Sequence, residues 1–329
     1  MRSGRQPIPD YLCLGSLREV CPNVPWIALT ATANAKAQDD IACQLKMKHV
    51  ESFKAGTYRN NLFYDVCMRD HLNKAPENHM ASFITKCLTI DANTSTSNLT
   101  KGEKGEREQN KKKMSGSAIV YCRSRNECEQ VAKMLAIAGI PAMAYHAGLR
   151  KDDRNSVQEK WMSNEIPVVA ATVAFGMGID KADVRCVIHW SPSQNLAGYY
   201  QEAGRAGRDG KRSYCRIYYS KQDKNALNFL VSGELAKLRE KAKKKTAEGA
   251  KAEMQIKAIQ NGLVKMLEYC EGKTCRHVAI ASFFDDTDCR PCNTNCDYCQ
   301  DPVKTSRNLE AFVVRVDRNL SVNRGKKYV

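Results

Sequence analysis

The stretch "SAIVYCRSRNECEQVAKMLAIAGIPAMAYHAG" (residues 117–148) contains the pattern that decides the fold. Residues 117–123 are an apolar run that predicts a buried strand. Residues 126–139 have the amphipathic spacing of a helix that ends at Gly139, and residues 141–148 predict a second strand. Two strands joined by a crossover helix lie parallel in one sheet, so the stretch predicts an α/β fold.

The same alternation continues towards the C-terminus. Further strands are predicted over residues 166–172, 184–190 and 213–220, and helices over residues 150–162 and 193–208. This arrangement predicts a parallel sheet whose ligand sites lie at the carboxyl ends of its strands. Towards the N-terminus, residues 24–34 predict a buried strand that leaves a sheet, and residues 35–45 predict a helix.

Composition and charge limit the classes of function. The chain has 329 residues, 43% of them hydrophobic, which is enough for two compact domains. No apolar run is long enough to span a membrane and the N-terminus has no signal segment, which favours a soluble intracellular protein. The 52 Lys and Arg against 36 Asp and Glu give a net charge of +16. That excess favours nucleic acid over an anionic membrane as the partner, although solvated basic loops such as residues 110–113 and 241–245 would also contribute to it.

Two segments lack the pattern of a packed core. Residues 89–115 are polar, charged and poor in apolar side chains, so we expect a disordered insertion that marks a domain boundary. The chain becomes helical and basic after Lys221, and residues 303–329 are expected to be a tail.

The run "QEAGRAGRDG" (residues 201–210) suggests an anion site. Gln201, Arg205 and Arg208 are four and then three residues apart, so on a helix they project from one face. Small residues between them would let that face approach a ligand closely. Arginine binds phosphate bidentately, which makes a phosphate group the expected ligand. A solvated basic face is the alternative, but it does not explain the glycines or the Asp-Gly ending.

Five of the fifteen cysteines crowd into one tract, and the other ten are scattered. Without a secretory signal, such a cluster predicts metal ligands rather than disulfides. Cys292, Cys296 and Cys299 form a compact trio, and either Cys275 or Cys289 would supply the fourth sulfur. Four thiolates in a closed tetrahedron are typical of a structural zinc site.

Several motifs resemble those of one protein family. "VYCRSR" (120–125), "AYHAGL" (144–149), "VVAATVAFGMGIDKADVRCVIHW" (168–190) and "YYQEAGRAGRDG" (199–210) resemble, in this order, the second motor domain of superfamily-two helicases, and in detail that of RecQ-family DNA helicases. "ALTATA" (28–33) is similar to the coupling motif that closes the first motor domain, and the cysteine tract is similar to the RecQ zinc subdomain. "NLFYDV", "HAGL" and "TCRHVAIASFF" resemble the RecQ-like helicase five branch.

The resemblance implies a domain plan. Residues 1–88 would be a fragment of the first RecA-like lobe with its lead into the second, and residues 116–222 would be the second RecA-like lobe with its parallel sheet. Residues 223–302 would form a small helical zinc subdomain. The zinc ligands implied are Cys275, Cys292, Cys296 and Cys299, with Cys275 preferred over Cys289.

The resemblance also implies roles for individual residues. Arg208 would be the arginine finger that reaches the γ-phosphate, with Arg205 beside it and Gln201 in the same motif. Asp180 and Gly178 would lie on the nucleotide side. The residues implied to couple nucleotide state to DNA are Thr30, Ala31 and Thr32, and those implied to line the DNA-binding face are Arg123, Ser124, His146, Thr172 and Gly176. For His146 and Thr172 a structural role is an equal alternative.

The implied activity is that of an ATP-dependent 3′-to-5′ DNA helicase, monomeric and nuclear, which acts on single-stranded and forked DNA in repair and recombination. Its cofactors would be ATP, Mg²⁺ and Zn²⁺. The sequence contains neither the G-x-x-x-x-G-K-[ST] phosphate loop nor the acidic magnesium-binding segment of such motors. We therefore expect an N-terminally truncated form with negligible ATPase activity alone. The alternative is a non-catalytic module that binds DNA or a partner; an RNA helicase is disfavoured because the zinc tract is a RecQ trait.

Overall fold

Six parallel strands form one sheet in the order β1-β6-β5-β2-β4-β3. The structure, a computed structural model, describes residues 13–30, 35–73, 75–94, 114–176, 179–243 and 247–312. The strands are β1 (Leu62–Met68), β2 (Ser117–Tyr121), β3 (Ala142–Tyr145), β4 (Val168–Ala171), β5 (Val184–His189) and β6 (Ser213–Tyr219). The predicted α/β fold is confirmed, since every strand predicted between residues 117 and 220 is present.

Helices cover both faces of the sheet and continue beyond it. They are α1 (Leu17–Val20), α2 (Ala35–Gln44), α3 (Pro76–Thr94), α4 (Arg125–Ile137), α5 (Lys151–Met162), α6 (Leu196–Ala203), α7 (Lys221–Ala242), α8 (Ala247–Glu271), α9 (Arg276–Phe283), α10 (Asp297–Gln300) and α11 (302–312), with 3₁₀ turns at Leu14–Ser16 and Arg69–His71. None of the helices in the described ranges combines the length and apolar character that a membrane crossing requires. The three central strands β2, β4 and β5 are buried along their whole length, which explains their unbroken apolar sequences.

Strand β1 was not predicted from the sequence. It pairs with β6 in the register Leu62↔Ser213 to Met68↔Tyr219, which places Asp65 opposite Arg216. The Arg216 Nε lies 3.0 and 2.9 Å from the two carboxylate oxygens of Asp65, and its guanidinium lies 3.6 Å from the ring centre of Phe83. Burial raises the pKa of the Asp65 carboxyl even though Arg216 opposes the shift. The pair thus fixes β1 in register within the protein interior.

The outer edge of β1 is covered by the cysteine tract. The backbone amide of Val66 donates to Asp297 at 3.0 Å, and the Asn295 side-chain amide donates to the carbonyl of Leu62 at 2.9 Å. Tyr64 and Cys296 form an isolated parallel bridge. These contacts satisfy backbone groups that an open sheet edge would leave unpaired.

Two predictions near the ends of the described chain are wrong. The buried strand expected over residues 24–34 is absent from its described part, residues 24–30, where Ile27 and Leu29 are 84% and 91% exposed. A buried strand needs hydrogen-bonded neighbours, and no described strand lies beside this segment. The tail expected from residue 303 begins instead as helix α11, whose Leu309 and Phe312 are buried.

Two helix boundaries also differ from the prediction. Helix α3 runs to Thr94, so residues 89–94 are helical where a disordered insertion was expected; residues 95–113 lie outside the described residues. Helix α6 ends at Ala203, so Arg205 and Arg208 lie in turns rather than on the helix predicted over residues 193–208. The helix stops there because Gly204 caps it and Gly207 has a φ of +56°, a conformation that favours glycine.

We expect Asp65→Asn to lower the free energy of unfolding by about 3 kcal/mol, because it leaves the buried Arg216 guanidinium without its carboxylate. Urea denaturation followed by circular dichroism measures the change. Asp153→Asn is the matched control, since it removes a carboxylate from the exposed pair with Arg150. The control should change stability by less than about 0.5 kcal/mol. Equal losses in the two variants would contradict a structural role for the buried pair.

Candidate functional site

The arginine loop, residues 204–210, connects α6 to β6 and is tied to β5. The Gly207 amide donates to the Val184 carbonyl at 2.9 Å. Asp209 accepts from the buried Arg185 guanidinium through both carboxylate oxygens at 2.7 Å. The Asp-Gly ending of the motif therefore anchors the loop, which the solvated-face alternative does not explain.

Arg205 lies against the loop that follows β4. Its guanidinium donates to the carbonyl of Gly176, and its buried Nε has no hydrogen-bond partner. A Cβ at Gly176, which has a φ of +143°, would lie 2.3 Å from the guanidinium carbon of Arg205. The sequence analysis assigned this glycine to close approach of DNA; in the structure its missing side chain makes room for Arg205.

Arg208 is held more loosely than Arg205. Its Nη1 donates to Asp180 at 2.7 Å and to the Ile179 carbonyl at 3.2 Å. The side chains of Arg208 and Asp180 are 38% and 86% exposed, and exposed pairs of this kind contribute little stability. Arg208 can therefore exchange Asp180 for another anion at low cost. Gly178 lies outside the described residues.

A cavity of about 2230 Å³ lies beside both arginines. One wall comes from residues 25–30 and 47–57, and the other from the segments that follow β2, β3 and β4 and from residues 200–208, which lead from α6 towards β6. The lining residues that the sequence analysis named are Thr30, Arg123, Ser124, Thr172, Gly176, Gln201, Arg205 and Arg208. Ala31 and Thr32 lie outside the described residues. Residues from four separate motifs thus meet around one space, and two of these motifs reach it directly after the carboxyl ends of β2 and β4.

Arg123 and Ser124 have structural contacts as well as access to the cavity. The Ser124 hydroxyl accepts from the Glu127 amide at 3.1 Å and so caps α4. Arg123 donates to the buried Asp223 at 2.8 Å, and Arg69 also binds this carboxylate. The Arg123 side chain is still 29% exposed, so part of its guanidinium faces the cavity.

His146 and Thr172 lie near the carboxyl ends of β3 and β4. His146 is only 3% exposed, and its Nε2 lies 3.1 Å from Glu129. The Thr172 amide donates to the Tyr145 carbonyl at 3.2 Å. The contacts of His146 are therefore structural, whereas Thr172 reaches the cavity wall.

Sequence reasoning missed two arginines. Arg125 is exposed and lines the cavity, and its guanidinium packs so closely over Gly148 that a Cβ there would lie 2.9 Å from Nη1. Its signal was present in the quoted motif "VYCRSR". Arg59 donates to the carbonyls of Gly204 and Gly207 in the arginine loop, and no local pattern indicates that contact.

Four cysteine sulfurs form a cluster beside β1. Cys275, Cys292, Cys296 and Cys299 place their sulfurs within 4.8 Å of one another. A zinc tetrahedron with Zn–S bonds of about 2.3 Å has sulfur–sulfur edges of about 3.8 Å, so the four fit this metal with small movements. The alternative ligand Cys289 is outside the cluster, with its thiol 3.7 Å from the Arg290 carbonyl.

Backbone amides favour thiolates at this cluster. The Cys292 amide donates to the Cys275 sulfur and the Cys299 amide to the Cys296 sulfur, both at 3.4 Å. Hydrogen bonds from Cys296 and from nearby amides lower the pKa of the Cys275 thiol to about 4, whereas burial raises the pKa of Cys292 and the hydrogen bond to Cys275 raises that of Cys296, so Cys275 is the thiolate of the metal-free cluster. Thiolates are the form of cysteine that binds zinc, which fits the donor set to this metal.

We expect about one zinc ion per chain after chelator washing, as a closed four-thiolate site requires. Cys275→Ser should lose most of this zinc, whereas Cys289→Ser, a matched change in the same tract, should retain it. Inductively coupled plasma mass spectrometry on the purified variants measures both. Zinc retained by Cys275→Ser and lost by Cys289→Ser would assign the fourth ligand to Cys289.

Comparison with known proteins matches two parts of the chain to known families. The helicase conserved C-terminal domain family matches residues 97–210, and the RecQ zinc-binding family matches residues 221–300. The ATP-dependent DNA helicase Q5 of Mus musculus is 43% identical over 92% of this chain and 28% of its own length. The RecQ-like DNA helicase blm-1 of Caenorhabditis elegans is 38% identical over 94% of this chain and 28% of its own. The chain thus spans less than a third of these curated relatives.

Among solved structures, the helicase Lhr of Mycobacterium smegmatis bound to ssDNA and AMP-PNP is 20% identical with a TM-score of 0.45. The alignment covers 68% of this chain and 28% of that chain.

Proposed function

We propose, because the chain belongs to the RecQ family of helicases, that it forms the second motor lobe and zinc subdomain of an ATP-dependent DNA helicase. The observation that carries this proposal is the arginine loop, which faces the same cavity as Thr30 of the "ALTATA" segment. A nucleotide bound on the far side of that cavity would lie within reach of a guanidinium from this lobe. Binding of one ligand by two lobes is the means by which a motor couples chemistry to movement.

The two arginines would have different roles at the nucleotide. Arg208 would bind the transferred phosphoryl group and stabilise the negative charge that develops on it, because its exposed pair with Asp180 is easily exchanged. Arg205, held by the Gly176 carbonyl, would stay in place beside it. Gln201 and Asp180 would border the same site.

Binding of ATP and Mg²⁺ requires groups that these residues do not supply. The printed sequence contains no G-x-x-x-x-G-K-[ST] loop, so we propose that residues outside 1–329 cradle the phosphates and the metal. Zinc would be structural, because four thiolates leave no open coordination position for a substrate.

DNA would bind at the carboxyl ends of the strands. The net charge of +16 supports a polyanionic ligand, and Arg123, Arg125 and Thr172 line the cavity. Ser124 lines the same cavity, whereas the contacts of His146 are structural and Gly176 accommodates Arg205. Thr30, Ala31 and Thr32 would couple the DNA-binding face to the nucleotide. We propose single-stranded and forked DNA as substrates, with 3′-to-5′ movement, a monomeric state and nuclear repair or recombination as the setting.

A second function is supported by a separate observation. The sequence contains the arginine loop but no phosphate loop. The zinc subdomain pairs with the edge of the sheet through Tyr64 and Cys296, so the basic lobe and the zinc subdomain form one structural unit. The chain alone would then bind DNA or a protein partner without turning over ATP.

We expect residues 1–329 to release phosphate from ATP no faster than the buffer alone, with or without single-stranded DNA, because the chain supplies arginines but no phosphate cradle. A coupled phosphate-release assay measures the rate. Turnover stimulated by DNA would contradict this expectation and would require a phosphate site that the sequence does not show.

We expect Arg125→Ala to weaken binding of a fluorescein-labelled single-stranded oligonucleotide and to reduce the slope of log affinity against log salt by about 0.7, since one phosphate contact is lost. Fluorescence anisotropy at several salt concentrations measures both quantities. Arg290→Ala is the control, because Arg290 is exposed and lies away from the cavity wall. An unchanged slope in Arg125→Ala would exclude this residue from the DNA contact.

A further inference from the structure

Residues 54–61, which we call the strap, run between the cysteine tract and the arginine loop. The strap belongs to no helix or strand, so its position depends on side-chain contacts at its two sides. Its first part is fixed at the C-terminal end of α9. Lys54 donates to the carbonyls of Phe284 and Asp285 at 2.9 and 2.8 Å, where the helix leaves acceptors unpaired.

Asp286 is the charged anchor of the strap. One of its carboxylate oxygens accepts from both the amide and the hydroxyl of Thr57, at 2.7 and 2.8 Å. Hydrogen bonds from the Thr57 amide and hydroxyl hold the pKa of Asp286 below its usual range. The middle of the strap is held as well, because the Tyr58 ring lies 4.7 Å from the His277 ring and the Asn60 carbonyl accepts from Asn295 at 3.0 Å.

The C-terminal part of the strap, residues 59–61, binds the arginine loop. Arg59 donates through Nη1 to the Gly204 carbonyl at 3.0 Å and through Nη2 to the Gly207 carbonyl at 2.6 Å. Asn61 donates to the Gly207 carbonyl at 2.8 Å, and a Cβ at Gly207 would lie 2.5 Å from its amide nitrogen. One planar guanidinium thus binds the carbonyls of the two glycines that directly precede Arg205 and Arg208.

This contact adds to the restraints that Arg185 and the Val184 carbonyl already place on the arginine loop. Two glycines within four residues give the backbone many alternative conformations, and the carbonyl at a helix end carries partial negative charge. A bidentate, charge-assisted contact selects one conformation from these. The direction of Arg205 and Arg208 therefore depends on Arg59, and the position of Arg59 depends on the contacts of residues 54–58 with the cysteine tract.

We propose that Arg59 is the positioning residue of the arginine loop and that Asp286 sets its position through the strap. The assignment of the loop to a nucleotide phosphate rests on the proposed function; the mechanical coupling between strap and loop does not.

Hydrogen exchange measured by mass spectrometry on the full chain tests this coupling. The amides of Gly207, Asp209 and Gly210 are hydrogen-bonded and report on the loop. Arg59→Met should speed exchange of residues 204–210 by about tenfold, the effect of losing a charged hydrogen bond. Arg59→Lys, which keeps a cation able to reach one carbonyl, should restore part of the protection. Asp286→Asn should speed exchange by a smaller factor, about threefold, because it weakens the anchor and leaves Arg59 in place.

Controls separate positioning from general stability. Asp288→Asn removes an exposed carboxylate two residues from Asp286 and should change nothing. Exchange in β2 and β4 and the zinc content should stay at the wild-type level in every variant. Unchanged exchange of residues 204–210 in Arg59→Met, or an equal increase in β2 and β4, would overturn the proposal.

The remaining outcomes are also decisive. Should Arg59→Met fail to fold, Arg59→Lys and Asp286→Asn carry the same test, and wild-type protection of the loop in both would refute the coupling. Failure of the wild-type chain to bind single-stranded DNA bears on the proposed function alone, since the exchange measurement uses neither DNA nor nucleotide.

Discussion

The pairing of the outer edge of β1 is the constraint on which the other contacts depend. A terminal strand of a parallel sheet has one row of amides and carbonyls without a strand partner, and these groups must find other partners when buried. Here the cysteine tract provides them through Asn295 and Asp297. Asp297 also forms a buried pair with Arg276 at 2.8 Å, so the residue that closes the sheet edge is fixed inside the zinc subdomain. The tract that carries the four-cysteine cluster is therefore the same segment that closes the sheet edge.

This junction also determines where the functional loops lie. The strap leads directly into β1, so the contacts that hold β1 in the sheet hold the segment that carries Arg59. The register of β1 against β6 is fixed by Asp65 and Arg216, and β6 begins just after the arginine loop. The loop is consequently bounded by β5 and β6, by Arg185 through Asp209, and by the strap. Each restraint comes from a different part of the chain, which is why a loop with three glycines can hold two guanidinium groups in defined places.

The sequence predicted those parts of the fold whose signal is local. Unbroken apolar runs predicted the central strands, and cysteine spacing predicted the ligands Cys292, Cys296 and Cys299, while the family resemblance preferred Cys275 over Cys289 as the fourth. Strand β1 was missed because Asp65 interrupts an apolar pattern, and the compensating Arg216 lies 151 residues away. The end of α6 was misplaced because helical periodicity continues through "GRAGR", whereas Arg59 binds carbonyls that a longer helix would have used. Residues 24–30 were assigned to a strand on their apolar character alone, and helix α11 was missed because burial of Phe312 depends on its contact with Tyr219.

The different environments of Arg205 and Arg208 bear on how such a site would work. A guanidinium that must respond to a nucleotide needs a resting partner that costs little to leave, and the exposed carboxylate of Asp180 meets that condition. A guanidinium that must keep a fixed position needs surroundings that it does not leave. Arg205 occupies the space left free by the absence of a Cβ at Gly176, and its Nε is buried. That Nε has no acceptor, which costs free energy unless an anion approaches. The strap determines how far both groups project into the cavity, so a shift of Asp286 would move the fixed and the exchangeable arginine together.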